Sequence, residues 1–291
     1  FQNTALGSNS LRTNTTGDNN VAVGYGALYS QTTADNNTAV GRDALNDNTT
    51  GTSNVAVGAY TLDANTTGES NTALGYNALS VNTTANNNTA VGRNALEVNT
   101  SGTQNTAVGT FSLDANTTGY NNTACGYNSL SANSTGIRNA AFGAHSCRST
   151  TGSHNTGLGY ETLYSNTSGS ENVAVGGFCM DSNTTGQNNV GVGYGALDAN
   201  TTGYQNVAIG SRALDANTTG ENLVAIGYNA LGSNTTNSGN TAVGAFALED
   251  NTSSNNTGIG YHALKENTSG AQNTAFGSSA LANNTTADDN T

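Results

Sequence analysis

The sequence predicts an all-β chain, a parallel β-solenoid or β-roll of seventeen coils of about 17 residues each, and three observations predict it. The unit Asn-Thr-Ala-Val-Gly-Thr-Phe-Ser-Leu-Asp-Ala-Asn-Thr-Thr-Gly-Tyr-Asn at 105–121 returns from Asn3 to Asn273 in steps of 17, with two steps of 16 at 139–155 and 240–256. One slot of the unit is glycine in every repeat. An Asn-Thr-Thr-Gly segment recurs between the apolar segments.

Slots are numbered 1 to 17 from the repeating Asn. Slots 1–5 are β-branched and apolar, too short for a helix, and read as a strand ending at glycine. The slot-5 glycines are Gly7, Gly24, Gly41, Gly58, Gly75, Gly92, Gly109, Gly126, Gly143, Gly159, Gly176, Gly193, Gly210, Gly227, Gly244, Gly260 and Gly277. They mark a corner or a close approach of backbones. Slots 7–11 read as a second short strand centred on the slot-9 residue, which is Leu except at Cys147 and Met180. Slots 12–15 are turn chemistry, because Asn tolerates unusual backbone angles and Gly supplies positive φ. Seventeen residues rich in Gly and β-branched side chains cannot hold two helices and their turns.

Stacked about 4.8 Å apart, the coils would form a rod of about 80 Å. Slot 1 would become a ladder of Asn amides, and slots 4 and 9 aliphatic ladders forming the core. Slot 3 is Ala or Gly and slot 5 Gly in every repeat. A strand apolar on both faces is normally covered on both, so the small-residue row represented by Ala107 and Gly109 is expected to meet another copy of the chain. The alternative is that slot 3 faces slot 8 inside a thin roll.

No composition shift or linker divides the chain, which reads as one continuous array over residues 1–291. It begins and ends within a repeat, so the array is expected to continue into a longer fibre. The net charge of −12 disfavours nucleic acid and anionic membrane surfaces. No apolar run reaches the length of a membrane span. Cys125, Cys147 and Cys179 stand where other repeats carry Val, Leu, Ala or Ser, and read as small apolar fillers.

Catalytic candidates are sparse. His145, His154 and His262 have no recurring partner, no carboxylate pair stands out, and no cofactor is implied. No loop slot carries Asp in every repeat, which excludes the calcium-binding solenoid pattern. Slot 10 holds Asp181, Asp198 and Asp215 in three successive coils, either a weak cation site or a hydrated acidic column. Tyr fills slot 6 at Tyr25, Tyr76, Tyr127, Tyr160, Tyr194, Tyr228 and Tyr261. An exposed column of this kind would stack on sugar rings; the plainer alternative is packing that covers the coil edge. Slots 12–14 form the N-glycosylation pattern at Asn14, Asn48, Asn65, Asn82, Asn99, Asn116, Asn133, Asn166, Asn183, Asn200, Asn217, Asn234, Asn251, Asn267 and Asn284. Either these carry an outward row of sugars, or the pattern is turn chemistry alone.

Asn-Thr-Ala-Val-Gly at 105–109, Asn-Val-Ala-Ile-Gly at 206–210 and Val-Ala-Ile-Gly at 224–227 resemble the strand motif of YadA-type trimeric autotransporter adhesin heads. With its Asn-Thr-Thr-Gly turn, the array is also similar to repeats of bacteriophage tail-fibre proteins. The resemblance covers the whole chain, although this repeat is slightly longer than the usual adhesin-head unit. It implies a left-handed roll, homotrimeric assembly, and display outside the cell or on a virion. The expected function is therefore structural and adhesive rather than catalytic, with the chain itself and a cell-surface glycan or protein receptor as partners. Two alternatives are an ice-binding solenoid and a polysaccharide-binding or depolymerising fibre. The adjacent threonines of slots 13 and 14, such as Thr15 and Thr16, weigh against an ice face on a strand, because they would point to opposite sides.

Overall fold

A computed structural model describes residues 2–291. The chain forms two compact units, residues 1–145 and 146–291, each a stack of parallel β-coils. The first holds β1 (Thr4–Leu6), β2 (Val21–Val23), β3 (Thr38–Val40), β4 (Val55–Val57), β5 (Thr72–Leu74), β6 (Thr89–Val91), β7 (Thr106–Val108), β8 (Thr123–Cys125) and β9 (Ala140–Phe142). The second holds β10 (Thr156–Leu158), β11 (Val173–Val175), β12 (Val190–Val192), β13 (Val207–Ile209), β14 (Val224–Ile226), β15 (Thr241–Val243), β16 (Thr257–Ile259) and β17 (Thr274–Phe276). Within each unit every strand pairs in parallel with the next, slot on slot, as Ala107 on Ala124 and Ala174 on Gly191. No helix occurs among the described residues.

The strand of slots 2–4 stands where the sequence places it; the second strand does not form. Slots 6–11 turn instead, because slots 7 and 9 take left-handed backbone angles: Phe111 has φ 57° and Leu113 φ 50°. Every slot-9 Leu lies between φ 48° and 55°. That conformation costs a β-carbon residue about 1–2 kcal/mol, and full burial of the Leu side chain offsets it at about 1.5–3 kcal/mol. Glycine would relieve the strain but leave the interior empty.

The turns are nonetheless bonded from coil to coil. The Leu113 amide donates to the Ser129 carbonyl (3.0 Å), Phe111 to Arg93 (3.0 Å) and Thr117 to Ser134 (2.9 Å). Slot 5 requires glycine on two grounds. Gly109 has φ 135°, and a β-carbon there would lie 2.5 Å from the Gly126 carbonyl oxygen of the next coil.

The interior differs from the expected one. Slot 3 points inward and, outside the terminal coils, is fully buried with slots 8 and 9. A β-carbon on Gly191 would lie 3.0 Å from Cε of Met180, which shows slot 3 facing slot 9. The slot-4 residues are outside, with Val108 36% and Leu158 49% exposed. Period-2 alternation permits only one of slots 3 and 4 inside, and a roll this thin accommodates Ala beside Leu but not Val beside Leu. The row of Ala107 and its equivalents is therefore internal, and the outward apolar face is slots 2 and 4.

Two columns of buried Asn complete the interior. In coil 105–121, the side-chain amides of Asn105 and Asn116 both donate to the Gly119 carbonyl, at 2.9 and 3.1 Å. Asn116 also donates to Asn99 Oδ1 (2.8 Å), while Asn88 Oδ1 accepts the Asn105 backbone amide (3.0 Å). Gln31 takes the same role at slot 12, donating to the Ala34 carbonyl (3.0 Å). At Leu223 the backbone amide keeps its bond to Asn206 Oδ1 (3.0 Å), leaving Asn234 alone to reach the turn carbonyl of Asn237 (3.0 Å). The short coil starting at Asn240 loses its residue from the turn, and Asn240 and Asn251 converge on the Ser253 carbonyl instead (2.8 and 2.6 Å).

Placing two carboxylates in the interior by Ala107→Glu with Ala124→Glu should cost several kcal/mol per charge and unfold the local coils. Glutamate on the outward slot 2, in Thr106→Glu, should leave the β-type circular dichroism spectrum nearly unchanged.

Candidate functional site

Three surfaces carry side chains that the sequence nominates: the Asn-Thr-Thr turn, the acidic column of slot 10, and the aromatic edge of slots 6 and 7.

At the turn, the residues of the glycosylation pattern face the wrong way. Asn48, Asn65, Asn82, Asn99, Asn116, Asn133, Asn166, Asn183, Asn200, Asn217, Asn234, Asn251 and Asn267 are fully buried. Asn14 and Asn284, in the terminal coils, are partly exposed but make the same bonds, to the carbonyls of Gly17 and Ala287 (both 3.0 Å). The nitrogen that would carry the sugar is the one spent on the turn carbonyl and on the ladder. An outward row of glycans is thus not what this geometry offers, and the pattern is accounted for by turn and ladder chemistry. The slot-13 hydroxyls are also engaged, as Thr117 Oγ1 on the Ser134 carbonyl (3.0 Å) and Thr184 Oγ1 on the Thr201 carbonyl (3.0 Å).

The slot-10 acids are half-buried at the rim of the turn. Burial pushes Asp63, Asp114 and Asp181 up from 3.8 to about 6. Neighbouring carboxylates add to this: Asp47 and Asp43 for Asp63, Glu97 for Asp114, and Asp198 for Asp181. Asp198 and Asp215 are raised as well, again chiefly by burial, with Asp215 adding to Asp198 and Arg212 opposing at Asp215. One oxygen each of Asp63, Asp114, Asp181 and Asp215 is buried without a hydrogen-bond partner. Such carboxylates stack unfavourably, as like charges on adjacent strands do. No group of three or more His, Cys, Asp or Glu poised for a metal occurs among the described residues, and Asp181, Asp198 and Asp215 form none.

The aromatic edge carries large exposed rings. The slot-6 tyrosines Tyr25, Tyr76, Tyr127, Tyr160, Tyr194, Tyr228 and Tyr261 are all about half exposed. They do not seal the corner. Aromatic residues at slot 7 of adjacent coils meet them edge-on: Tyr60 against Tyr76 at 5.9 Å, and Phe111 against Tyr127 at 6.3 Å. Arginines stack one coil before an aromatic ring, Arg42 on Tyr60 (5.4 Å) and Arg93 on Phe111 (5.8 Å). Cavities open along this edge in both units, one of about 440 Å³ beside Tyr25, Arg42 and Tyr60, another of about 290 Å³ beside Tyr194, Arg212 and Asp215. Slot 7 went unremarked in the sequence because its residue type varies; only pairing it with slot 6 of the next coil exposes the alternation.

His145 lies edge-on to Tyr127 at 5.3 Å, and His262 stacks on Tyr261 at 3.8 Å, so both belong to the aromatic edge. Cys147 and Cys179 are buried thiols pushed up to about 12 by desolvation, consistent with inert filling of slots 9 and 8, whereas Cys125 is exposed on the slot-4 face.

Comparison with protein-family models and with curated proteins finds no match.

Two outcomes follow from the turn and the acids. Asn116→Ala should destabilise the chain by about 1–3 kcal/mol, because buried Asn99 Oδ1 loses its donor and the Gly119 carbonyl keeps only Asn105, whereas Thr118→Ala, which removes the same sequon at an exposed position, should be neutral; denaturant titration separates them. The second concerns acid. A carboxyl raised in the folded chain holds its proton where the unfolded chain has already released it. Between about pH 4 and 6 the folded state binds more protons, so stability falls as pH rises through that window. The melting temperature should accordingly be higher near about pH 4.5 than near about pH 7.5. Asp63→Asn with Asp114→Asn and Asp181→Asn should raise it at neutral pH and flatten the dependence.

Proposed function

We propose that this chain is a structural and adhesive fibre segment, a left-handed roll assembled as a homotrimer and displayed extracellularly on a cell surface or virion, and that it works by shape and surface display without catalysis or a cofactor. The observation that carries this reading is the outward face of slots 2 and 4. Within each unit it runs along the stacked strands and bears only Thr, Val, Ala, Leu, Ile, Phe and Cys, with no charged residue in any coil. Apolar area of this extent on a solvent-facing sheet favours association. Parallel coils present the same side chains at each level, so a rotationally symmetric partner meets the face in register along its length. The resemblance of Asn-Thr-Ala-Val-Gly at 105–109 to trimeric adhesin heads supports the same assembly.

One feature favours a second reading, ice binding. Thr at slot 2, present in ten coils, shares one outward face with slot 4, as Thr106 does with Val108, so the objection drawn from slots 13 and 14 does not apply to it. Against it, slot 4 carries no hydroxyl in any coil, and Phe142 and Phe276 interrupt the ranks. The fibre reading is preferred.

Sedimentation should find the chain as a trimer. Val91→Lys with Val108→Lys, both outward, should yield smaller species that keep their β-spectrum. A folded monomer as the unsubstituted species would reject the assembly, and thermal hysteresis in its solutions would move the assignment to ice.

A further inference from the structure

In the second unit the tyrosines recur at a spacing that a sugar polymer matches. Tyr160, Tyr194, Tyr228 and Tyr261 occupy slot 6 of every second coil and are 49%, 57%, 48% and 52% exposed. Coils about 4.8 Å apart place these rings at intervals of about 9.6 Å along the stack. Between them, Phe178 and Phe246 fill slot 7. Phe178 stands edge-on to Tyr160 (5.4 Å) and Tyr194 (5.7 Å), and Phe246 to Tyr228 (5.2 Å) and Tyr261 (6.2 Å). These contacts brace the tyrosines edge-on, while His262 lies stacked against Tyr261 at 3.8 Å and occupies one of its faces.

The coil between Tyr194 and Tyr228 differs. It supplies Arg212 at slot 7, and with Asp198 and Asp215 this residue lines the cavity of about 290 Å³ beside Tyr194. Gly195 in the cavity wall keeps it open, since a β-carbon there would meet nothing nearer than Arg212 Cγ at 4.0 Å. Half-exposed rings in a row, with a guanidinium and carboxylates alongside, suit the two things a pyranose presents: an apolar C–H face and a rim of hydroxyls.

We propose that this edge binds an extended, neutral β-1,4-linked polysaccharide lengthwise, one disaccharide to each of Tyr160, Tyr194 and Tyr228. In such a chain successive sugars are turned over, so the same face returns at every second residue, and a disaccharide spans close to the two-coil interval. An anionic polymer is disfavoured by the acidic column beside the rings and by the net charge of −12. The site lies within one chain, so it stands whether or not the chain trimerises.

Calorimetric titration with cellohexaose and with chitohexaose tests this, with a polygalacturonate hexamer as the acidic control. At least one neutral hexasaccharide should bind, more tightly than its tetrasaccharide, because the longer chain reaches a further tyrosine. Tyr194→Ala and Tyr228→Ala should each weaken binding about tenfold, or about 1.4 kcal/mol, with unchanged circular dichroism, while Tyr194→Phe should retain it. Failure of both neutral hexasaccharides to bind at millimolar concentration would overturn the proposal. So would binding that survives the double alanine variant, that shows no length dependence, or that is equalled by polygalacturonate. Sedimentation of the same samples reports on assembly separately.

Discussion

Each coil is held closed by the convergence of two asparagine amides on one turn carbonyl. Asn105 and Asn116 reach Gly119 from opposite ends of the coil, so the chain is pinned where slot 12 comes round to slot 1. Each amide oxygen is then free to accept from the neighbouring coil, as Asn105 Oδ1 does from the Asn122 amide (3.0 Å). A buried polar column is costly unless its members are paired, and here the translational repeat pairs them except where it breaks: Asn14 Oδ1 and Asn133 Oδ1, each followed by a coil without Asn at slot 12, have no partner. The same bonds that close one coil thus dictate the position of the next. This is the reason that Asn recurs where an aliphatic residue would bury more apolar surface.

That closure leaves little room inside, and the remaining slots follow from the shortage. Only Ala or Gly fits at slot 3, and a small residue at slot 8, when Leu projects from slot 9. The backbone at slot 9 accepts a left-handed conformation so that Leu can project there at all. Met180 and Cys147 show which replacements the space admits, flexible or small ones. The 16-residue coil at Asn240 shows what the scaffold spares: the residue is lost from the turn while both amides still find a carbonyl, that of Ser253.

With the interior and turns committed to holding the stack, what remains for recognition is the outside. The slot 2 and 4 face is uncharged throughout, threonine beside aliphatic residues, and suited to contact with identical copies. The slot 6, 7 and 10 edge varies from coil to coil, carrying aromatics, arginines and carboxylates in different combinations in the two units. A uniform face favours assembly, and a variable edge favours selective contact. The raised carboxyls along that edge, half-buried beside one another, cost some stability at neutral pH.

Period, glycine slots and turn chemistry determined the solenoid by themselves, because a translational repeat forces equal residues into equal environments. The glycine at slot 5 was legible for the same reason, since its left-handed backbone and its contact with the next coil recur at every level. Three matters lay beyond the sequence. Whether Ala107 or Val108 faces inward depends on the width of the closed coil, which two apolar rows of alternating slots do not reveal. That Leu113 sits in a turn rather than a strand depends on a left-handed φ, which its aliphatic side chain argues against until its burial is seen. The direction of Asn116 was hidden because Asn-Thr-Thr reads the same as an exposed sequon and as a buried amide; only closure of the coil, with the Gly119 carbonyl within reach, decides between them.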